Sequence, residues 1–198
     1  QKVISIFLAQ VSAAAHNRLL MKKLETMAHT DALTGVANRS FFDRELKKAL
    51  RNTVLFPNIY FSIVMIDING LKRINDHFGH EKGDEMIQRV ADSLILVCRK
   101  TDTLARMGGD EFVILLPATS GTLARMLVDR IHGKEKGLSL DCREKTGRDR
   151  PVPIHFSIGI AGSDETAPEN VLKLADQRMY IDKELFYQKA VGTLYADK

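Results

Sequence analysis

The sequence has no tryptophan, few prolines and only two cysteines, Cys98 and Cys142. Neither cysteine has the Cys-x-x-Cys or Cys/His spacing of a metal site, and so low a number indicates free thiols in a reducing compartment. The longest apolar run near the start, residues 3–15, is broken by polar side chains and is too short to span a bilayer. We therefore expect a cytoplasmic domain, although the full-length protein could be tethered to a membrane.

The chain also lacks any Lys/Arg run interleaved with aromatic residues. Its net charge is +4 and its isoelectric point is about 9.1, so we expect no DNA or RNA partner, whereas a small phosphorylated ligand suits the mild positive balance. With 198 residues, 44% of them hydrophobic, the chain can form one compact domain with an appendage.

The appendage is predicted at the N-terminus. Apolar residues recur at helical spacing over residues 3–28 without glycine or proline, which predicts a long amphipathic helix. Its apolar stripe favours pairing with a second copy or linkage to an upstream domain, and a helix folded back on its own domain is the alternative. Because the chain starts at Gln1 inside this helix, we expect a piece of a longer protein, with residues 1–30 as a signalling helix or linker and 31–198 as the main domain.

Two glycines followed by two acids mark the centre of the sequence. Gly108, Gly109, Asp110 and Glu111 precede an apolar run that ends at Pro117, a pattern typical of a tight hairpin turn that leads into a buried strand. Glycine lets a backbone approach a ligand closely, and adjacent carboxylates suit magnesium held against a phosphate. The pattern indicates phosphate chemistry, with an ordinary surface hairpin of solvated acids as the alternative.

Another acid ends the most apolar run. Residues 58–67 are nearly continuous in apolar side chains and end on Asp67, so we predict a strand buried on both faces with the strand from Glu111 beside it. A carboxylate at the end of a central strand packs poorly but can hold a metal ion, and a capping or turn aspartate is the alternative.

Residues 68–84 are predicted to be a polar connector punctuated by Gly79 and Gly83. Within it, Asn75 can both donate and accept hydrogen bonds and Asp84 can accept two. This set complements the edge of guanine, whereas adenine would leave the aspartate unpaired. Asp84 is equally suited to be the N-cap of a helix over residues 84–98.

The remaining segments complete the fold class. Helices are predicted over residues 39–50 with Asn38 as N-cap, over 121–131 and over 168–186, with a strand over 152–161 and a loop or short exposed hairpin over 132–150. Because helices interleave with strands that are joined as hairpins, we expect an α+β fold with a mixed, mainly antiparallel sheet flanked by helices.

Taken together, five segments resemble the GGDEF family of diguanylate cyclases from about residue 31 to residue 183. They are Asp31-x-Leu-Thr-Gly-x-x-Asn38-Arg39, Asp67-Ile-x-x-x-Lys72-x-Ile-Asn75-Asp76-x-x-Gly79-His80-x-x-Gly83-Asp84, Arg106-x-Gly-Gly-Asp-Glu-Phe, Ser157-Ile-Gly-Ile-Ala and Ala175-Asp176-x-x-x-Tyr180-x-x-Lys183. The resemblance implies a fold similar to the palm of nucleotidyl cyclases and polymerases. It also implies an enzyme that joins two GTP molecules into cyclic di-GMP and releases two pyrophosphates, with one GTP held by each subunit of a homodimer. The N-terminal helix resembles the end of a GAF-type sensor that runs into the catalytic domain.

The resemblance implies roles for the acids. Asp67, the backbone carbonyl of Ile68 and Asp110 would bind two magnesium ions, for which manganese could substitute. Asp110 or Glu111 would help to deprotonate the ribose 3′-hydroxyl, and we favour Asp110.

The resemblance also implies the substrate contacts. Asn75 and Asp84 match guanine-reading positions, and Lys72 and Lys183 match phosphate-contacting positions. The glycine pair of the hairpin, Gly108–Gly109, would let the backbone lie against the nucleotide.

A second group of residues matches a control site. Arg99 and Asp102 match the Arg-x-x-Asp site at which family members bind cyclic di-GMP as an inhibitor, and Arg130 matches a second arginine of that site. Arginine suits this role because its fork binds phosphate and stacks on guanine. A surface ion pair between Arg99 and Asp102 is the alternative.

The sequence departs from the family pattern at two places. Asn69 and Gly70 replace the aspartate and the aromatic or histidine residue often found after the first metal aspartate. Residues 186–188, Phe-Tyr-Gln, replace a Gly-Arg-Asn triplet whose arginine contacts phosphate, which implies weaker GTP binding unless Lys189 substitutes. The alternative function is therefore a catalytically weak module that acts as a receptor for cyclic di-GMP or GTP.

Overall fold

The computed structural model describes residues 12, 16–18, 28–143 and 149–196. In chain order its strands and helices are β1 (Ala37–Asn38), α1 (Arg39–Leu55), β2 (Phe61–Asn69), α2 (Leu71–Phe78), α3 (His80–Ile95), β3 (Thr103–Gly108), β4 (Glu111–Pro117), α4 (Gly121–Glu135), β5 (Ser139–Arg143), β6 (Asp149–Pro153), β7 (His155–Gly162) and α5 (Val171–Ala196). A 3₁₀ turn over Pro168–Asn170 precedes α5.

Five strands form one sheet in the order β1-β3-β4-β2-β7, and β5 pairs with β6 as a separate hairpin. The β1–β3 pair is parallel, whereas the other pairs are antiparallel. The prediction of an α+β fold with a mixed, mainly antiparallel sheet flanked by helices is confirmed.

The central strand β2 separates two hydrophobic cores, and each of its residues is buried. Because successive side chains of a strand point to opposite faces, Val64 and Ile66 join the core beneath α2, α3 and α4, while Met65 joins the core beneath α1 and α5. The prediction of a strand buried on both faces is confirmed, although it covers Phe61–Asn69 rather than 58–67.

Helix α5 lies directly on β7. A Cβ atom added at Gly159 would collide with the backbone of Ala175 and Met179, so this glycine is needed for the close approach of strand and helix. The contact holds the following turns of α5 above the end of β2.

The prediction of a polar connector over residues 68–84 is wrong, because this segment contains α2 and the start of α3. Gly70 and Gly79 bound α2 with φ angles of 81° and 87°. Positive φ is easily adopted by glycine. Gly70 therefore lets the chain pass from β2 to α2, and Gly79 from α2 to α3, within a single residue.

Gly83 does not mark a turn either. It is buried within α3, where a Cβ atom would collide with the Asn75 side chain. Asp84 consequently lies inside α3 and is not its N-cap, because the helix begins at His80; it also ends at Ile95 rather than at residue 98.

Asn38 caps α1 as predicted, since its side chain accepts a hydrogen bond from the Phe41 N–H at 3.0 Å. Both α1 and α4 continue beyond their predicted ends, to Leu55 and Glu135.

Of the two alternatives for residues 132–150, a loop or a short exposed hairpin, the hairpin forms as β5 and β6. Residues 132–135 belong to α4 instead, and the hairpin is not fully exposed, because Leu140 and Cys142 are buried in the core.

The predicted strand over residues 152–161 is divided between β6 and β7. At Ile154 the backbone leaves both strands, and its N–H donates to the Leu138 carbonyl at 3.0 Å. The final helix starts at Val171 rather than at 168 and runs past 186, because no glycine or proline interrupts that stretch before residue 192.

The helix predicted over residues 3–28 lies almost wholly outside the described residues. No helix in the described part of the chain is long and apolar enough to cross a membrane. Cys98 and Cys142 are free thiols, as predicted, and burial, followed by the charge of Asp102, raises the pKa of Cys98 to about 12.

We expect Gly159→Ala to lower the free energy of unfolding by about 1–3 kcal/mol, because the added methyl group would push α5 away from β7. Urea denaturation followed by circular dichroism measures the change. Gly133→Ala is the matched control, since Gly133 is exposed within α4 with no atom near its Cβ position; there alanine should add about 0.5–1 kcal/mol. Equal effects of the two substitutions would contradict the close packing.

Candidate active site

Two acids face each other at the centre of the sheet. Asp67 of β2 and Glu111 of β4 are directly opposite in the antiparallel register. Asp67 lies on the same face of the sheet as Met65, and Glu111 on the same face as Val113; both apolar residues belong to the core beneath α1 and α5. The alternation of side chains along each strand therefore places both carboxylates on the face that α5 covers.

The Asp67 carboxylate is buried and contacts a lysine of α5. Its side chain is 4% exposed, and Lys183 Nζ lies 2.7 Å from Oδ1 and 2.8 Å from Oδ2. Only the contact with Oδ2 has the geometry of a hydrogen bond, so Oδ1 is buried without a donor among the described residues.

The charge balance of this pair follows from its surroundings. Burial raises the pKa of Asp67, the Lys183 hydrogen bond opposes the rise, and the nearby charge of Asp110 adds to it. Burial by itself would lower the pKa of Lys183, but the hydrogen bond to Asp67 and the charges of Asp67 and Asp110 raise it overall. The lysine is therefore charged, and its positive charge stabilises the ionised form of Asp67.

Glu111 lies in an acidic environment. Burial is the largest cause of its raised pKa, followed by the charges of Asp110, Asp67 and Asp176, while Lys183 opposes them. An open cavity of about 650 Å³ is lined by Asp67, Glu111 and Asp176 together with Lys183. Sequence reasoning included Asp176 in the last motif but assigned it no role.

No three histidine, cysteine, aspartate or glutamate side chains of the described residues converge closely enough to hold a metal ion by themselves. A cation at Asp67 would therefore need further oxygens from the backbone or from a ligand. The end of β2 is close to the hairpin turn, because the Ile68 N–H donates to the Asp110 carbonyl at 3.1 Å.

The predicted hairpin between β3 and β4 is confirmed. Gly108 and Gly109 have φ angles of 144° and 54°, which residues with a Cβ rarely adopt. No atom of the described residues lies within 4 Å of the Cβ positions at these two glycines. The turn thus presents open backbone beside the carboxylates.

Arg106 fixes this turn to the start of the domain. Its guanidinium donates to the Gly109 carbonyl at 3.1 Å and 2.7 Å and to Asp31 at 3.1 Å. Burial would raise the pKa of Asp31, but hydrogen bonds from Thr34 and Arg106 lower it. Sequence reasoning quoted Asp31 and Arg106 as motif residues without a role, because a contact between residues 75 apart leaves no local pattern.

The contact between α2 and α3 brings the candidate guanine-reading residues together. The Asn75 side chain packs against Gly83, and Asn75 Oδ1 is buried with no hydrogen-bond donor among the described residues. Asp84 follows Gly83 and is exposed, and Lys72 is exposed one turn before Asn75. The pair of helices thus offers an unused acceptor, a carboxylate and an ammonium group.

The candidate control residues are also neighbours. Asp102 Oδ2 accepts a hydrogen bond from the Arg99 N–H at 2.7 Å, so the described contact uses the backbone of Arg99 rather than its guanidinium. Arg130 of α4 donates to the Val97 carbonyl at 2.6 Å. This bond ties Arg130 to the turn that carries Arg99 and Asp102.

The departures from the family pattern have structural counterparts. Asn69 is buried and exchanges hydrogen bonds with the Ser157 hydroxyl at 3.0 Å and 3.1 Å, which joins β2 to β7. The Gly70 N–H donates to the Tyr187 hydroxyl at 3.2 Å. Because α5 continues through residues 186–188, Tyr187 reaches the start of α2.

Comparison with known proteins identifies the family to which the chain belongs. The family model described as diguanylate cyclase, GGDEF domain, matches residues 28–186. YhcK of Bacillus subtilis is 31% identical over 182 residues, which cover 92% of this chain and 50% of YhcK. The diguanylate cyclase TpbB of Pseudomonas aeruginosa is 36% identical over 163 residues, which cover 81% of this chain and 36% of TpbB. The chain thus spans half or less of the length of these two relatives.

Solved structures show the same fold. The coiled coil and GGDEF domain of DgcB from Caulobacter crescentus, crystallised in complex with c-di-GMP, match with a TM-score of 0.81 at 26% identity, covering 93% of this chain and 95% of that one. The GGDEF domain of TpbB matches with a TM-score of 0.69 at 36% identity, covering 79% and 90% of the two chains. With its motifs, its sheet and this matched range, the chain belongs to the GGDEF family of diguanylate cyclases.

Proposed function

We propose that this chain contains the catalytic domain of a diguanylate cyclase, which condenses two GTP molecules into cyclic di-GMP and two pyrophosphates. The observation that carries the proposal is the buried Asp67 carboxylate, which faces Glu111 and lies beside Lys183. This arrangement adjoins an open glycine turn, where a nucleotide phosphate could approach the backbone.

Magnesium ions fit this group of residues. Asp67 Oδ1 is a buried oxygen that accepts no hydrogen bond from the described residues, although the Lys183 ammonium lies 2.7 Å away. Burial and neighbouring acids raise the pKa of both Asp67 and Glu111. Asp67, the backbone carbonyl of Ile68 and Asp110 would hold two magnesium or manganese ions, since hard cations prefer oxygen ligands. When bound, such ions would supply positive charge that stabilises the negative charge developing on the phosphate oxygens.

The residues of the chain would then move a proton and position the phosphates. Asp110, on the open turn, would accept the proton of the ribose 3′-hydroxyl, with Glu111 as the alternative base. The 3′-oxygen forms a bond to the α-phosphorus of the opposed GTP, and the bond from that phosphorus to the pyrophosphate oxygen breaks. Lys183 would exchange its contact with Asp67 for one with a phosphate, and a second, identical transfer closes the ring.

Asn75, Asp84 and Lys72 would bind the rest of the nucleotide. Asn75 Oδ1, which is buried against Gly83 and accepts no hydrogen bond from the described residues, would accept from the guanine 2-amino group once the side chain turns away from Gly83. The exposed Asp84 carboxylate would accept from guanine donors. Lys72, one turn before Asn75, supplies a positive charge for a phosphate.

The complete enzyme would be a homodimer, because one subunit holds one GTP and each nucleotide attacks the other. Residues 1–30 would connect the catalytic domain, residues 31–198, to an upstream sensory domain. With GTP as its substrate, the domain would work in the cytoplasm.

Arg99, Asp102 and Arg130 would bind the product as an inhibitor. The hydrogen bond between Arg130 and the Val97 carbonyl places α4 beside the turn of Arg99 and Asp102, and both guanidinium groups suit a cyclic dinucleotide with guanine rings and phosphates.

One observation favours a receptor as the second candidate function. Residues 186–188 lack the arginine expected to contact phosphate, and Tyr187 instead binds the backbone of Gly70. A receptor would bind cyclic di-GMP or GTP at the same sites without turnover.

The function is tested by incubating the protein with GTP and magnesium and measuring cyclic di-GMP and pyrophosphate. We expect Asp110→Asn to lower turnover at least about 100-fold, because it removes a metal ligand and the favoured base. The same variant should still bind cyclic di-GMP in calorimetry, whereas Arg99→Ala should not.

Asp43→Asn is the matched control, since Asp43 is an exposed aspartate of α1, and it should retain full turnover. If the unmodified protein bound cyclic di-GMP but made none at high protein concentration, the receptor would replace the cyclase as the proposed function.

We expect Asn75→Ala to raise the KM for GTP about tenfold and to abolish most of the preference for GTP over ITP, which lacks the 2-amino group. Initial rates with the two nucleotides measure this preference. Asn52→Ala, an exposed change on α1, should leave it unchanged. A retained preference in Asn75→Ala would show that the buried Oδ1 atom does not read the base.

We expect Glu111→Gln to raise the Tm of the metal-free protein at neutral pH. A raised carboxyl pKa means that the fold favours the protonated acid, so ionised Glu111 lowers stability as the pH rises through this pKa, above the ordinary value of 4.5. The gain should vanish below that ordinary value, where the acid is protonated in both the folded and the unfolded chain.

Thermal unfolding across this pH range measures the difference, and Glu169→Gln, at an exposed acid, serves as the control. A gain in Tm that did not depend on pH would mean that the ionisation of Glu111, disfavoured by burial and by the neighbouring acids, is not its cause.

A further inference from the structure

The first turn of α2 has no side-chain cap among the described residues. Gly70 is its N-cap residue, has a φ angle of 81° and offers no side chain to cap the helix. Its own N–H donates to the Tyr187 hydroxyl of α5 at 3.2 Å. The backbone at this junction is therefore held by a side chain from a distant helix.

Groups with proposed roles lie on both sides of this junction. Ile68, whose carbonyl is a proposed metal ligand, precedes Gly70 by two residues. Lys72 and Asn75 follow on α2. The pairing of β2 with β7 ends at Asn69, and Gly70 has wide conformational freedom because it lacks a Cβ atom. The Tyr187 hydroxyl therefore extends the restraint from the end of β2 across Gly70 to the start of α2.

The hydroxyl of Tyr187 is itself held in place. The Tyr187 ring packs edge-on against Phe186 at 5.3 Å between centroids, and Phe186 packs against His155 at 5.5 Å. His155 Nδ1 lies 3.1 Å from Glu135 of α4. This row of side chains joins α5 to β7 and α4, so the tyrosine is oriented before any ligand binds.

Tyr187 also follows Lys183 by one helical turn. Residues four apart lie on the same side of a helix, and here both reach the end of β2, Lys183 at Asp67 and Tyr187 at Gly70. One face of α5 therefore contacts the side chain of the buried acid and the backbone beyond it.

We propose that Tyr187 is a positioning residue for the magnesium-bound nucleotide, which acts by fixing the Ile68–Gly70 backbone through its hydroxyl. This role rests on the proposed function of the site, and it gives residues 186–188 a task other than direct phosphate contact. Without the hydroxyl, the carbonyl of Ile68 and the first turn of α2 lose their common anchor, and binding requires more magnesium.

The test is Tyr187→Phe, which keeps the ring and removes only the hydroxyl. The readout is binding of 3′-deoxy-GTP, which cannot act as a nucleophile, measured by calorimetry over a range of magnesium concentrations. We expect the magnesium concentration for half-maximal binding to rise about three- to tenfold, with binding restored at saturating magnesium and little change in Tm. Tyr60→Phe, the same change near the opposite end of β2, should match the unmodified protein.

A second readout follows the contact itself. In ¹⁵N-labelled protein, amide hydrogen exchange at Gly70 should be faster in Tyr187→Phe than in Tyr60→Phe, because its N–H loses its acceptor. An unchanged exchange rate, or an unchanged magnesium dependence, would overturn the positioning role. A fall in Tm with an unchanged magnesium dependence would likewise assign Tyr187 to packing alone. If the unmodified protein failed to bind 3′-deoxy-GTP at any magnesium concentration, the proposed function itself would fail, whatever Gly70 showed.

Discussion

The burial of one carboxylate at the end of the central strand is the constraint on which the site depends. Asp67 follows Phe61, Ile63 and Met65 on one face of β2, so its charge is taken out of water by the same alternation that builds the core. The Lys183 ammonium offsets part of that cost but leaves Oδ1 without a hydrogen bond. The ligand-free fold therefore keeps an acidic site that gains from a cation.

Close contacts at two glycines position the helices around the site. Gly159 lets α5 approach β7 closely, and this approach brings Lys183 and Tyr187 of α5 to the end of β2. Gly83 lets α3 approach Asn75 of α2. Each contact needs the absence of a side chain, whereas Gly109 is needed for its φ angle of 54°. Glycines of the family motifs thus serve different physical purposes, which their positions in the sequence do not distinguish.

The sequence predicted the elements with a strong local pattern. The continuous apolar runs of β2 and β4, the glycine turn between β3 and β4 and the Asn38 cap were confirmed, although β2 begins and ends a few residues later than predicted. Residues 68–84 were misread because glycine is typical of turns, while Gly83 is a packing glycine inside α3. Asp84 was consequently expected, as one of two alternatives, at a helix start that lies at His80 instead.

By itself, the sequence determined the fold class, the family and the acids at the strand ends, because periodicity, turn residues and motif spacing are local properties of the chain. Tertiary structure alone decided that Lys183 pairs with Asp67, that Arg106 joins Asp31 to the hairpin turn, and that Tyr187 supports Gly70. These contacts join residues 116, 75 and 117 positions apart. They depend on how helices pack across the sheet, for which a single sequence contains no local signal.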